Sequence, residues 1–216
     1  MDPNKPLPAH TKLNYHECYA KIVLEDLFAS TFSNLLLKDK PDLQDIQTQI
    51  GIEVTIAETP KTKESEKLYS TLPYVREETR LKNIGRIGQC GATYEHGILY
   101  GPNGVDDFTL INGRINVKAK KLHKGEYKEF SEYHLFIFSS IWVSESMLKD
   151  ELSYLNQKRL VDCFQKIDIQ LPKKLLYFDL TQNSYKVFSI DGDKQFQWAS
   201  EARECCLAYN GGYNGA

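Results

Sequence analysis

Two carboxylates stand out in the stretch Lys40 to Ala57, KPDLQDIQTQIGIEVTIA. Asp42 follows a proline at the start of a short run, and Glu53 lies in a segment where apolar and polar residues alternate. Alternation with period two is typical of a strand, in which successive side chains point to opposite faces. The polar residues between the two runs predict a turn. Such a turn can bring both carboxylates to one hard cation, Mg²⁺ or Mn²⁺, that prefers oxygen ligands.

The elements around this stretch predict a mixed α/β structure, in which helices flank a central β-sheet. Apolar residues at helical spacing predict three helices, over residues 16–34, 108–124 and 146–167. The run HLFIFS, residues 134–139, predicts a buried central strand. Residues 174–180 and 184–190 predict a terminal hairpin.

We expect three parts in chain order: an extended arm of residues 1–14, a single α/β domain of residues 15–196, and a tail of residues 197–216 that contains a short helix over 197–209. A polar stretch at about 58–107 interrupts the domain, and its helical parts break at Pro73. Glycines from residue 85 onward lack the G-x-G-x-x-G spacing and no strand clearly precedes them. They predict a mobile loop or lid rather than a phosphate cradle.

The order of these features resembles the PD-(D/E)XK nuclease superfamily, which has the restriction-endonuclease-like fold. Its motif is Pro-Asp, a variable spacer, then Asp or Glu, any residue, and Lys. This chain has Pro41-Asp42, a ten-residue spacer and Glu53-Val54-Thr55. The string GIEVT also resembles the second half of the motif in many bacterial nuclease-like proteins.

Two further features resemble the same superfamily over roughly residues 15–140. Glu17 matches a glutamate on the first helix, where an acid also simply complements the helix dipole. Ile115, Lys118 and Lys121 match an I-x-x-K-x-x-K pattern that leads to an apolar strand. Both the nuclease interpretation and a solvated helix face remain open for these lysines.

The resemblance implies that Asp42, Glu53 and Glu17 hold one or two Mg²⁺ (or Mn²⁺) ions, which polarise a phosphodiester and lower the pKa of a bound water. It also implies further roles for neighbouring residues. The helix predicted over residues 108–124 is rich in lysine and is called the basic helix below. Three of its cations would contact backbone phosphates, namely Arg114, Lys120 and Lys124. Gln44 is an accessory candidate beside the metal, or only a polar residue at a strand end.

One position departs from the motif, because Thr55 occupies the place of the lysine. A threonine hydroxyl can ligate water or a metal but cannot supply a cation. Either Lys118 or Lys121 reaches the site from the basic helix, or the site binds without cutting.

The expected function is therefore phosphodiester hydrolysis in restriction, phage defence or a mobile element. The alternative is an inactive module of the same fold that binds nucleic acid or protein.

Composition limits the remaining classes. The 216 residues include no apolar run of the roughly 20 residues that a membrane helix needs, and the start lacks a secretory signal, so we expect a cytoplasmic protein with no membrane partner. Five cysteines without C-x-x-C spacing fit neither a disulfide framework nor a zinc site. The net charge of −2 restricts nucleic-acid binding to a local surface. Expected partners are DNA in preference to RNA, with a homodimer as a further option.

Overall fold

The computed structural model describes residue 7, residues 13–101 and residues 106–211. Contacts between residues divide the chain into two units, which we describe separately. The inserted unit contains residues 58–106, and the main unit consists of residues 10–57 and 107–216. All the candidate site residues lie in the main unit.

The helices and strands have the following bounds in chain order: α1 Tyr15–Leu27, β1 Leu36–Leu37, β2 Leu43–Asp45, β3 Ile50–Ile56, α2 Pro60–Thr71, α3 Glu77–Gln89, β4 Thr93–Glu95, β5 Ile98–Tyr100, α4 Thr109–His123, β6 Glu132–Phe138, α5 Glu145–Gln157, β7 Lys166–Leu171, β8 Lys174–Asp179, β9 Ser184–Ser189 and α6 Gly192–Gly211.

A sheet forms the centre of the main unit. Within the described residues it has seven strands in the order β1-β2-β3-β6-β7-β8-β9. The three central strands β3, β6 and β7 are parallel, and every other neighbouring pair is antiparallel. This arrangement confirms the predicted α/β class with a mixed central sheet, the buried strand at HLFIFS and the terminal hairpin.

Helices cover both faces of this sheet. Leu135 of β6 shares a hydrophobic core with Ile115 of α4 and with residues of α5. Glu53 is the partner of Leu135 in the parallel register, so its side chain leaves the sheet toward the same helices. The opposite face packs against α1, where the rings of Tyr19 and Phe138 lie 5.6 Å apart. The sheet therefore presents Glu53 to the basic helix α4.

The inserted unit is built from α2, α3 and the β4–β5 hairpin. Pro60 occupies the first turn of α2, and the Thr59 hydroxyl accepts a hydrogen bond from the Thr62 N–H. Pro73 lies in a 3₁₀ turn, Leu72–Tyr74, where the helical path breaks as predicted. A separate small core holds these elements together, formed by Leu68, Leu72, Ile87 and Ala92.

The prediction of a third helix over residues 146–167 is wrong beyond Gln157, because α5 ends there and residues 166–171 form β7. Arg159 adopts a left-handed conformation with φ of 52°, which ends the helical path without a glycine or proline to signal it. In β7, the apolar residues Ile167 and Ile169 alternate with buried Asp168. Apolar residues at 161 and 164 had continued the helical spacing and concealed this alternation.

Three other predicted boundaries also differ. Helix α1 ends at Leu27 rather than near residue 34, and α6 is longer than the helix predicted over 197–209. The glycine-containing stretch is more regular than a loop, since Gly85 and Gly88 lie within α3 and a hairpin follows. Most of the predicted arm, together with residues 102–105 and 212–216, lies outside the described residues.

Asp168 of β7 is a buried carboxyl outside the candidate site. The residue is 2% exposed, and the Oδ1 atom of its side chain has no hydrogen-bond partner among the described residues. Burial raises the pKa of Asp168 to about 7. Between about pH 4 and about pH 7 the folded state therefore keeps a proton that the unfolded chain loses, and stability falls as the pH rises.

We expect Asp168→Asn to remove this pH dependence, because an amide cannot ionise. As the pH rises across that window, the free energy of unfolding of Asp168→Asn should increase relative to that of wild type by up to about 1.4 kcal/mol per pH unit. Urea unfolding at pH 5, 6 and 7 measures it, with Asp150→Asn on the exposed side of α5 as the control. Parallel stability curves for wild type and Asp168→Asn would contradict the prediction.

Candidate functional site

The β2–β3 hairpin brings Asp42 and Glu53 together. Leu43 pairs with Ile52, so continuing the antiparallel register by one residue places Asp42 opposite Glu53. Oδ2 of Asp42 accepts a hydrogen bond of 2.8 Å from the backbone N–H of Val54. This bond fixes Asp42 to the strand that carries Glu53. The structure therefore brings the two carboxylates together on one hairpin, as the sequence predicts.

Gly51 allows the close packing of this hairpin. A Cβ atom at Gly51 would lie 2.6 Å from Cγ of Pro41 and 2.9 Å from the ring of Phe130. Any larger residue must therefore displace the proline that precedes Asp42. Gln44 strengthens the same turn, because its buried side-chain amide donates a hydrogen bond of 3.1 Å to the carbonyl of Pro41. These contacts hold the backbone on both sides of Asp42.

Glu53 is the most buried carboxylate of the site, with its side chain 8% exposed. Its Oε1 accepts a hydrogen bond from Nζ of Lys118 on α4, whose side chain is 15% exposed. The other oxygen, Oε2, is buried and makes no hydrogen bond of good geometry among the described residues, although the Tyr127 hydroxyl lies close enough to interact with the Glu53 carboxylate. A buried carboxylate oxygen without a hydrogen bond of good geometry carries an energetic cost that a cation or a water can relieve.

Glu17 on α1 belongs to the same electrostatic environment. Burial and, after it, the charges of Asp42 and Glu53 raise the pKa of Glu17 to about 7, against the effect of Lys118. Burial likewise raises the pKa of Asp42 to about 6, with the Glu53 charge as the second cause. The charge of Lys118 opposes the rise of both pKa values, so the carboxyls of Glu17 and Asp42 lie in one electrostatic environment with this lysine.

A cavity of about 210 Å³ opens beside these residues. Its wall consists of Asp39, Lys40, Asp42, Glu53, Lys121, Glu126 and Tyr127. Burial and the nearby Glu53 charge raise the pKa of the Tyr127 phenol. Nothing in the sequence pointed to Tyr127, because it lies in the connection after α4 and belongs to no periodic pattern.

Four lysine and arginine side chains lie on α4 and Lys124 follows its last residue, and these five cations differ in their positions relative to the carboxylates. Lys118 contacts Glu53, and Lys121 lines the cavity one turn further along. Lys120 and Lys124 are exposed and lie on the side of α4 opposite its buried residues, so they do not converge on the carboxylates. Arg114 lies one turn before Lys118 and is partly buried.

Thr55 is also on the Glu53 face of β3, two residues further along the strand, and is partly buried. It offers a hydroxyl where the motif has a cation. The cation that the structure places against Glu53 comes instead from α4. Of the two lysines that the sequence left as candidates, Lys118 and Lys121, it is Lys118 that contacts Glu53 directly.

The donor set fits a hard divalent cation, since carboxylate oxygens are the ligands that Mg²⁺ and Mn²⁺ prefer. The Oε2 of Glu53, which lacks a hydrogen bond of good geometry among the described residues, and the raised pKa of Asp42 both indicate negative charge that a cation would stabilise. Within the described residues, however, no group of three or more His, Cys, Asp and Glu side chains is assembled for metal binding. Lys118 occupies one of the Glu53 oxygens, so a cation would compete with that ion pair.

Comparisons of the chain with protein-family models, with curated proteins and with solved structures give no match. None of the helices in the described part of the chain combines the length and the apolar composition required to cross a bilayer.

Proposed function

We propose that this chain is a metal-dependent nuclease of the restriction-endonuclease-like fold that hydrolyses phosphodiester bonds, with DNA as the substrate. One observation carries the proposal, the contact of Lys118 with Glu53 inside a group of carboxylates. It supplies the cation that Thr55 cannot provide. A solvated helix face, the other interpretation of the lysines, does not account for a lysine buried against a carboxylate.

Asp42 and Glu53 of the hairpin would hold the cation, Mg²⁺ or Mn²⁺, and Glu17 of α1 would approach them as the third carboxylate that the resemblance implies. When bound, it would supply Lewis-acid chemistry toward the phosphodiester and a more acidic water. The hydrogen bond from Val54 fixes the orientation of Asp42, so this ligand is positioned before any cation arrives.

Lys118 would stabilise negative charge that develops on the phosphate during attack by water. Its side chain is largely removed from solvent, where a charge interacts more strongly than in bulk water. Lys121 lines the cavity and would contact the same phosphate or its neighbour. Arg114, Lys120 and Lys124 remain candidates for contacts with phosphates further along the backbone, which fix register without reading sequence.

The direct test incubates purified protein with supercoiled plasmid in Mg²⁺, in Mn²⁺ and in EDTA. We expect nicked or linear DNA in the two divalent cations and intact plasmid in EDTA. The Glu53→Gln variant should lose at least about 10²-fold in rate, because the amide keeps the shape of the side chain but loses its charge. Equal cleavage by wild type and Glu53→Gln would contradict the proposal.

The same assay separates the alternative function, an inactive module that binds nucleic acid or protein. Retention of labelled DNA by the wild type without cleavage in either cation would favour that function. A single-stranded RNA of matched length, added as a competitor of the plasmid, tests the preference for DNA.

A further inference from the structure

A pocket of about 710 Å³ lies in the inserted unit, separate from the carboxylate site. Three tyrosines line it, Tyr69, Tyr74 and Tyr94, and so does the charged pair Glu77 and Arg80. Binding sites for small molecules have volumes of about 300 to 1,000 Å³. The pocket is therefore large enough for a nucleobase together with its sugar.

Hydrogen bonds hold two of the tyrosine rings in place. The hydroxyl of Tyr69 donates to the carbonyl of Gly97 at 3.0 Å, and the hydroxyl of Tyr94 accepts from Nη2 of Arg80 at 3.4 Å. The ring centroids of Tyr69 and Tyr94 lie 6.1 Å apart. The Tyr69 hydroxyl already donates to Gly97 and the Tyr94 hydroxyl already accepts from Arg80, so the rings supply most of the surface that these residues offer a ligand. Rings that are already fixed lose little conformational entropy when they bind.

The charged pair adds hydrogen-bonding groups beside these rings. Arg80 and Glu77 are 3.4 Å apart on the first turn of α3, and both side chains are solvent-exposed. A guanidinium stacks on flat rings and donates to phosphate oxygens or base edges. A carboxylate accepts from exocyclic amino groups, as on cytosine. Aromatic faces with a guanidinium and an acceptor are the groups that bind unstacked bases in single strands.

We propose that this tyrosine pocket binds an unstacked nucleobase of a single-stranded or distorted nucleic acid. The unit is inserted between β3 and α4, the elements that carry Glu53 and Lys118. The choice of a nucleic acid as ligand rests on the proposed function, whereas the pocket itself does not depend on the carboxylates. Aromatic grooves also bind proline-rich peptides, but the Arg80–Glu77 pair favours a base, which has donors and acceptors on its edge.

The test measures fluorescence anisotropy of a labelled 12-nucleotide single strand in EDTA, so that binding is observed without cleavage. The wild type should bind the single strand more tightly than the duplex of the same sequence. Tyr69→Ala and Tyr94→Ala should each weaken binding about tenfold, because each removes a stacking surface. Tyr69→Phe keeps the ring but loses the hydrogen bond to Gly97, so it should weaken binding less than Tyr69→Ala does. Phe196→Ala removes an exposed ring of the main unit and should bind like wild type.

Thermal unfolding of each variant establishes that it folds. If Tyr69→Ala fails to fold, Tyr74→Ala replaces it, since the Tyr74 residue is 40% exposed and lies outside the small core. Unchanged affinity in the alanine variants, equal affinity for duplex, or displacement of the oligonucleotide by a proline-rich peptide would overturn the proposal. Tyrosine-dependent binding by a protein that never cuts plasmid would leave the pocket standing and remove only the nuclease function.

Discussion

The Lys118→Met protein will cleave plasmid about 10²- to 10³-fold more slowly than wild type in Mg²⁺, the loss typical of removing one group that stabilises transition-state charge. Methionine keeps much of the length and apolar stem of lysine and removes only the cation. The effect is large because Lys118 contacts Glu53 in a largely buried setting, with no cation at position 55 to replace it.

Matched variants on the same helix separate this effect from a general loss of positive charge. Lys120→Met removes an exposed cation from the opposite side of α4, a candidate contact with a more distant phosphate, so it should weaken DNA binding modestly and leave the rate at saturating DNA close to that of wild type. Lys118→Arg keeps the charge and should retain more activity than Lys118→Met. A fully active Lys118→Met protein beside an inactive Lys121→Met protein would assign the role to the other lysine.

The stability of Lys118→Met must be measured with its activity. Removing one partner of a buried ion pair costs about 3 to 5 kcal/mol, because the remaining charge is left unpaired. The chain can therefore lose activity by unfolding. Circular dichroism during urea unfolding distinguishes a folded inactive variant from an unfolded one, and the folded Lys118→Arg protein provides the reference.

Asp42→Asn should have two opposite effects, a loss of cleavage of more than about 10²-fold and a gain in the stability of the metal-free protein at pH 8. The amide oxygen can still accept from the Val54 N–H, so the hairpin is kept. The charge is lost, and with it the repulsion from Glu53 and Glu17. Because burial raises the pKa of Asp42 to about 6, its ionised form destabilises the folded state above that pH.

The plasmid assay measures the loss of cleavage, and thermal unfolding at pH 8 without Mg²⁺ measures the gain in stability. Repeating the unfolding with Mg²⁺ measures whether the cation binds. A ligand at 100 times its dissociation constant stabilises the folded state by about 2.7 kcal/mol. The wild type should gain this increment, whereas Asp42→Asn should gain little. Asp39→Asn is the control, since Asp39 lines the same cavity but is exposed. An equal Mg²⁺ response in wild type and Asp42→Asn would show that Asp42 is not a ligand.

The hairpin of the site was predictable because its determinants are local. Asp42 directly precedes β2 and Glu53 lies on β3, and a short turn joins the two strands. Both the alternation and the turn residues are readable in one stretch of sequence. Strand pairing across a short turn leaves little freedom of register. The same locality made the β8–β9 hairpin predictable.

The choice between Lys118 and Lys121 was not predictable. It depends on how α4 is rotated against the sheet, and the packing of Ile111 and Ile115 in the core sets that rotation. Several rotations bury an amphipathic helix almost equally well when the shape of the sheet is unknown. Lys118 and Glu53 are 65 residues apart in sequence, so no local pattern relates them.

Strand β7 was missed for a related reason. A strand inside a sheet is stabilised by its neighbours, here β6 and β8, and not by its own propensity. Its polar residues Asp168 and Gln170 are buried, which contradicts the usual link between polarity and exposure. The sequence signal was the alternation of three apolar residues, and the apolar spacing of the preceding helix obscured it.

The contact of Gly51 with Pro41 and Phe130 has a consequence for how this sequence can vary among relatives. A larger residue at position 51 would collide with both rings, so its acceptance requires a smaller residue at one or both of the other positions. Positions 41, 51 and 130 should therefore covary in relatives that retain Asp42 and Glu53. Covariation at these positions would therefore mark relatives that keep the same backbone path before Asp42.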